Sequence, residues 1–138
     1  MQFIIELNTN GFGDIIDITE KINSIIPTCK FKKVELVNIF VIGSTASITT
    51  MENDTNLYKD FNEILEQIAP LNKNYLHHKT WGDDNGSAHI KASIIGPSIT
   101  IPVKDKKLFL GVWQKVVLID FDTRKRTRKI VITLSVIN

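Results

Sequence analysis

The sequence predicts an α+β domain built on antiparallel sheet, with about seven strands and two or three helices. Three observations carry this. Runs rich in Val, Ile and Phe recur at strand length through most of the chain. Apolar residues at helical spacing are confined to two main stretches. Those helices are inserted between groups of strands instead of following each strand in turn, which disfavours a parallel βαβ fold.

Taken in order, residues 2 to 7 read as a first strand, and Asn8 to Asp14 as a turn-rich loop. Asp17-Ile18-Thr19-Glu20 then looks like a helix start, with Asp17 as N-cap and Glu20 three positions on. Ile18, Ile22, Ile25 and Ile26 follow at helical spacing until Pro27. Phe31 to Ile42 alternates as a strand, and Gly43-Ser44 interrupts it. Ala46 to Met51 resumes in extended form. Glu52-Asn53-Asp54 opens the clearest helix, in which Leu57, Phe61, Ile64, Leu65 and Ile68 form one stripe before Pro70. Later, Ser98 to Val103 is a short strand and residues 104 to 107 a turn. Leu108 to Phe121 is long enough for one strand bent near Gly111. A basic connection over Thr123 to Lys129 leads to a final strand, Ile130 to Ile137.

Composition narrows the function classes. A chain of 138 residues with 43% apolar and 23% charged residues has the makings of a single domain, residues 1 to 138, with a real core. No apolar run approaches the roughly 20 residues of a membrane span. The opening Met-Gln-Phe-Ile-Ile-Glu-Leu reads as strand, not as a secretion signal, so the expected location is cytoplasmic with no membrane partner. Cys29 is the single cysteine, which excludes an intrachain disulfide and fits a reducing compartment. Its thiol is read as buried, with a catalytic role as the sharper alternative. A formal charge of +2 does not indicate a nucleic-acid partner.

The polar chemistry concentrates in Tyr75 to Gly96, which holds all three histidines, Trp81, Asp83, Asp84 and Asn85-Gly86. Asp83 to Gly86 is a turn signal. Ser87 or Asn85 can cap a short helix that runs through His89 to about Ile95, stopped by Gly96 and Pro97. His89 in its first turn is disfavoured as imidazolium by the helix dipole, so it can ligate metal or accept a proton. His77 and His89 lie outside the tight spacings of common zinc motifs. A further ligand would come from His78, Asp83, Asp84, Glu52 or another subunit, and the alternative is that these histidines make structural hydrogen bonds. Trp81 packs or lines a ligand pocket.

Further landmarks in order are Ser44-Thr45-Ala46-Ser47, Glu52-Asn53, Asp60, Pro70, Tyr75-x-His77, Asn85 and Ala88-His89-Ile90-Lys91-Ala92. Then come Gly96-Pro97-Ser98, Ile101-Pro102-Val103, Leu108-x-Leu110-Gly111-x-Trp113-Gln114 and Arg126-x-Arg128. In this combination, over nearly the whole chain, the sequence resembles the YjbQ-like family, named for a bacterial member described as a secondary thiamine-phosphate synthase. The resemblance implies a sandwich-like sheet with helices on one side, a homotrimer, and a polar cleft lined by histidines, the Glu-Asn pair and the late arginines. One departure bears on metal binding: where many relatives place a histidine, in a His-Thr-Thr-Ala motif, this chain has Ser44.

The resemblance thus implies a weak thiamine-phosphate synthase-like transferase, or else a non-catalytic trimeric protein that binds metal or anion. Forming thiamine phosphate expels pyrophosphate, whose charge is usually met by Mg²⁺ with Lys or Arg. Arg126 and Arg128 share a face of an extended segment and can clamp a phosphorylated molecule, with Lys91 adding a third cation. The alternative is a solvated basic turn. His89, Glu52 and Asp84 are the acid–base candidates, though Glu52 also simply suits a helix N-terminus. Ser44, Thr45, Asn85 and Gln114 are candidate substrate contacts, and Gln114 either orients a ligand or tethers a loop. His77 and His89 are the candidate ligands of a divalent cation, zinc or magnesium.

Overall fold

Two antiparallel sheets share one core in this computed structural model, which describes residues 1–30 and 32–137. The larger sheet has the order β1 (Gln2–Thr9), β8 (Arg126–Ile137), β3 (Lys33–Ile42), β5 (Ser98–Lys104) and β6 (Lys107–Leu108). The smaller has the order β2 (Asp14–Asp17), β7 (Lys115–Asp120) and β4 (Ala46–Met51). Four α-helices accompany them: α1 (Thr19–Ile25), α2 (Thr55–Ile68), α3 (His78–Trp81) and α4 (Gly86–Ile95).

Strand alternation decides what each face meets. Val37, Ile39 and Val41 of β3 and Ile130, Ile132 and Leu134 of β8 point inward, where they meet Ile48, Val116 and Leu118 of the smaller sheet. The alternate residues Val117 and Ile119 of β7 pack on the opposite side against Leu65 of α2 and Ala88 and Ala92 of α4. The layers are therefore sheet, sheet and the helices α2 and α4, while α1 buries Ile22 in the core shared by the two sheets. Burial on both faces is why Val116 to Ile119 is an unbroken apolar run. Each such side chain contributes about 1.5–3 kcal/mol through burial.

The α+β architecture on antiparallel, sandwich-like sheet is as expected, and several local expectations are corrected. Asp14–Asp17 is an edge strand, too short for its alternation to show, and not the end of a loop leading into a helix. Asp17 is accordingly not the N-cap of α1. Its Oδ1 accepts from the Thr19 amide at 2.9 Å from just outside the helix. Neither Asn85 nor Ser87 caps α4 with its side chain, since the Ser87 hydroxyl donates to the Ala69 carbonyl instead. The expected continuous strand over Leu108 to Phe121 is divided, because residues 109–114 turn the chain from the larger sheet to the smaller. Strand β8 begins at Arg126, inside the expected basic connection. Trp81 ends the unforeseen helix α3 and is 79% exposed. The proposed strand start at Phe31 lies outside the described residues.

Candidate functional site

At one end of the sandwich the inward rows of β1, β7 and β8 finish in polar residues. Thr9 continues the row of Leu7, Asp120 that of Leu118, and Arg128 that of Ile130. Asp120 is fully buried and Arg128 nearly so. The Arg128 guanidinium donates to both Asp120 oxygens, from Nε at 2.7 Å and from Nη2 at 2.9 Å. Nη2 also donates to the Thr45 hydroxyl at 2.6 Å. The Thr9 hydroxyl donates to Asp120 Oδ2. Gly43 makes room: a Cβ there would stand 2.5 Å from Arg128 Nη1, and the backbone φ of +137° also favours glycine.

Thr45 passes the network on, its hydroxyl donating to Asp122 Oδ2 at 3.0 Å. Arg126 Nε donates to the same oxygen at 2.9 Å. Burial alone pushes the Asp122 carboxyl up. The Thr123 amide, the Thr45 hydroxyl and Arg126 outweigh it and hold the group below its ordinary value. Asn85, also buried, directs its Nδ2 towards Asp122 Oδ1 at 3.5 Å, a long contact. Asp84 joins the rim by accepting from the Thr123 hydroxyl at 2.8 Å.

Beyond Asn85 lie the histidines. The rings of His77 and His89 meet edge to face with centroids 4.5 Å apart. His77 Nε2 is 3.6 Å from Asp83 Oδ1, too far for a hydrogen bond. His77 Nε2, Asp83 Oδ1 and Asn85 Oδ1 are buried atoms with no hydrogen-bond partner. Burial lowers the His89 pKa and the neighbouring His77 lowers it further, against the opposing pull of Asp122 and Asp83, so His89 is neutral at physiological pH. A cleft of about 480 Å³ opens here, lined by both histidines together with Tyr75, Leu76 and Ile90. His78 takes no part, because its Nε2 accepts from the Gly86 amide at 3.0 Å and fastens the start of α4.

The fold therefore brings together His77, His89 and Asn85 in one corner, and Thr45, Arg126 and Arg128 beside it, with Asp122 between. Ser44 is exposed next to Thr45. Three other candidates lie elsewhere. Lys91 pairs with Glu66 at 2.7 Å and lines a separate cleft with Phe12 and Phe121. Glu52 is exposed beyond β4, and its carboxylate makes no ion pair among the described residues. Gln114 is exposed, not buried, and bonds the Gly111 amide and the Thr50 hydroxyl, both at 3.1 Å, as a loop tether. Both Glu52 and Gln114 stand near the far end of β4, about 17 Å from Thr45 by strand rise. Sequence reasoning missed Asp120 and Asp122. The readable signal was two carboxylates closing the apolar run of β7, where a buried acid requires a partner.

Among the described residues no three His, Cys, Asp or Glu side chains are grouped to hold a metal ion. His77 and His89 offer two donors, which falls short of a zinc site from this chain alone. No helix among the described residues is long and apolar enough to cross a membrane.

Comparison with known proteins agrees with this architecture throughout. Two curated relatives are UPF0047 proteins. One, from Archaeoglobus fulgidus, is 33% identical over 91% of this chain and 94% of its own. The other, from Methanocaldococcus jannaschii, is 38% identical over 91% of this chain and 88% of its own. Among solved structures, an uncharacterized YjbQ/UPF0047 protein of Clostridium acetobutylicum superposes with a TM-score of 0.86 at 29% identity, covering 96% of this chain and 99% of that one. A YbjQ-like protein of unknown function from Sulfolobus solfataricus gives a TM-score of 0.84 at 25% identity, covering 97% and 96%. The family model described as UPF0047 protein YjbQ-like matches residues 3–136, and the chain belongs to that family.

Proposed function

We propose that the corner formed by His77, Asn85 and His89 binds a small phosphorylated molecule, and that the protein is a transferase with weak thiamine-phosphate synthase-like activity. The observation that carries this reading is the set of buried, unpartnered atoms on His77, Asp83 and Asn85 beside a neutral His89. A buried polar group without a partner costs about 1–3 kcal/mol, which supports a ligand as the missing partner. His77 Nε2 can donate to an anionic oxygen, whereas Asp83 Oδ1 and Asn85 Oδ1 are acceptors and call for an N–H or O–H of the ligand or a cation. Neutral His89 can offer a ring N–H to an anionic oxygen and accept a proton at its other nitrogen. Arg126 gives its Nε to Asp122 and is 39% exposed at its side chain, so it is the cation placed to meet a departing pyrophosphate. Arg128 acts indirectly, because its charge is already matched by Asp120. A divalent cation, if held, takes His77 and His89 plus donors from outside this chain, and would supply charge for the leaving group.

The test is product formation from a pyrimidine methyl pyrophosphate and a thiazole phosphate, at high protein concentration with Mg²⁺. The expected result is product above blank, lost in His89→Ala and reduced in Arg126→Gln. No product above blank overturns the transferase reading.

A non-catalytic, trimeric anion- or metal-binding protein is the second reading. The exposed apolar residues on the outer face of the larger sheet favour self-association: Ile4 is 61%, Ile42 49%, Leu36 43% and Phe40 40% exposed. Sedimentation at micromolar concentration should give a trimer, and a monomer contradicts this reading.

A further inference from the structure

We propose a second binding site at the opposite end of the sandwich, for a small phosphate or sulfonate anion carrying an apolar or aromatic body. It lies by the N-terminal end of β3, about 30 Å along that strand from Ile42 and the polar corner. A pocket of about 490 Å³ opens there between the turn after α1 and the β5–β6 hairpin. Its volume is in the range of small-molecule sites.

Two features define the ligand class. The pocket wall includes Lys30, Lys32, Lys33, Lys104 and Lys106 against the single carboxylate of Asp105. That is a formal +4 in one cavity of a chain whose whole net charge is +2. Among the described residues only Lys33 of these five has a carboxylate within 4.0 Å, namely exposed Glu35 at 3.8 Å. The remaining surface is apolar, from Ile26, Cys29, Val34 and Val103. Lysines hold a phosphate as point charges around it, while the apolar wall accepts the body attached to it. Asp105 and Lys106 both have positive φ, at 52° and 60°, as in a two-residue hairpin turn, which fixes the lysine-bearing loop over the cavity. A long nucleic-acid backbone would gain nothing from that apolar wall, so the concavity favours a small molecule.

Phenyl phosphate is a suitable probe, with inorganic phosphate and phenol as its two halves. Titration followed by amide NMR should move the resonances of Val34, Val103 and Lys104 to Lys106 at phenyl phosphate concentrations where neither half does. Lys32→Ala combined with Lys104→Ala should weaken binding roughly tenfold while leaving the spectrum folded, since both side chains are exposed. Cys29, the sole thiol and part of the pocket wall, gives a second readout. Its alkylation by a neutral maleimide should slow when phenyl phosphate is bound. Shifts scattered over the surface, shifts confined to Asn85 through Ile90, the same shifts produced by either half alone at equal concentration, or identical titrations of wild type and variant would each overturn the proposal. Failure here leaves the His77–His89 reading untouched, because that site is assayed by product formation.

Discussion

Two neighbouring polar clusters at one end of the sandwich differ in how completely they satisfy themselves. Around Asp120 and Arg128 each carboxylate oxygen has a donor and the guanidinium spans from Asp120 to Thr45. In the corner of His77, Asp83 and Asn85, three buried atoms have none. The first cluster ties the two sheets together. A buried pair of this kind gives little net stability over a hydrophobic replacement, yet removing one partner strands a charge. The second contributes no such tie between the sheets. The first cluster is saturated and reads as scaffold; the second is not, and that deficit is what supports the proposed ligand there.

Four substitutions or conditions sharpen that contrast. The largest effect is expected from Asp120→Ala, which takes both short hydrogen bonds from the buried Arg128 and leaves it only Asp122 Oδ2, 3.7 Å from its Nη2. Urea unfolding should show a loss of about 3–5 kcal/mol. Gly43→Ala comes next, since the new methyl strikes Arg128 Nη1 in a backbone conformation that favours glycine. A loss of about 1–3 kcal/mol is expected by the same measurement.

Acid should act through His89 in the second cluster and through Asp122, which lies between the two. Both His89 and Asp122 have folded-state pKa values below their ordinary ones. The unfolded chain then takes up protons first, so stability is fully present above pH 6.5 and begins to fall below it through His89. A further decline follows below pH 3.8 through Asp122. His89→Gln should remove the first step of a stability–pH profile and keep the second. The smallest effect is that of Gln114→Ala, an exposed tether whose loss should cost under about 1 kcal/mol.

Much of the scaffold was legible because burial writes a period into the sequence. The inward row of β3 is the clearest example; α2 also stands where its stripe put it, although of that stripe Leu65 is buried while Ile64 and Ile68 are each 58% exposed. Strand β2 was not, because four residues are too few to display a period. The break between β6 and β7 was hidden as well: Leu108 and Val116 both face the core, although they belong to different sheets. In the site, His77, Asn85 and His89 stood out by residue type and nearness along the chain. Asp120 and Asp122 did not, because their meaning depends on Arg128 and Thr45 across the sheets, a pairing that no local spacing encodes. Gln114 misled for a related reason. Its apolar neighbours Val112 and Trp113 suggested a buried strand, yet all three are exposed in a turn.

The most direct test of the contrast is calorimetric titration of a thiazole phosphate into the wild type and the His77→Gln/His89→Gln double variant, paired with urea unfolding of each. The expected result is saturable binding that falls at least about tenfold in the variant, while unfolding free energy changes by less than about 1 kcal/mol. Equal binding by both proteins, or a variant several kcal/mol less stable, would place the histidines in the scaffold and contradict it.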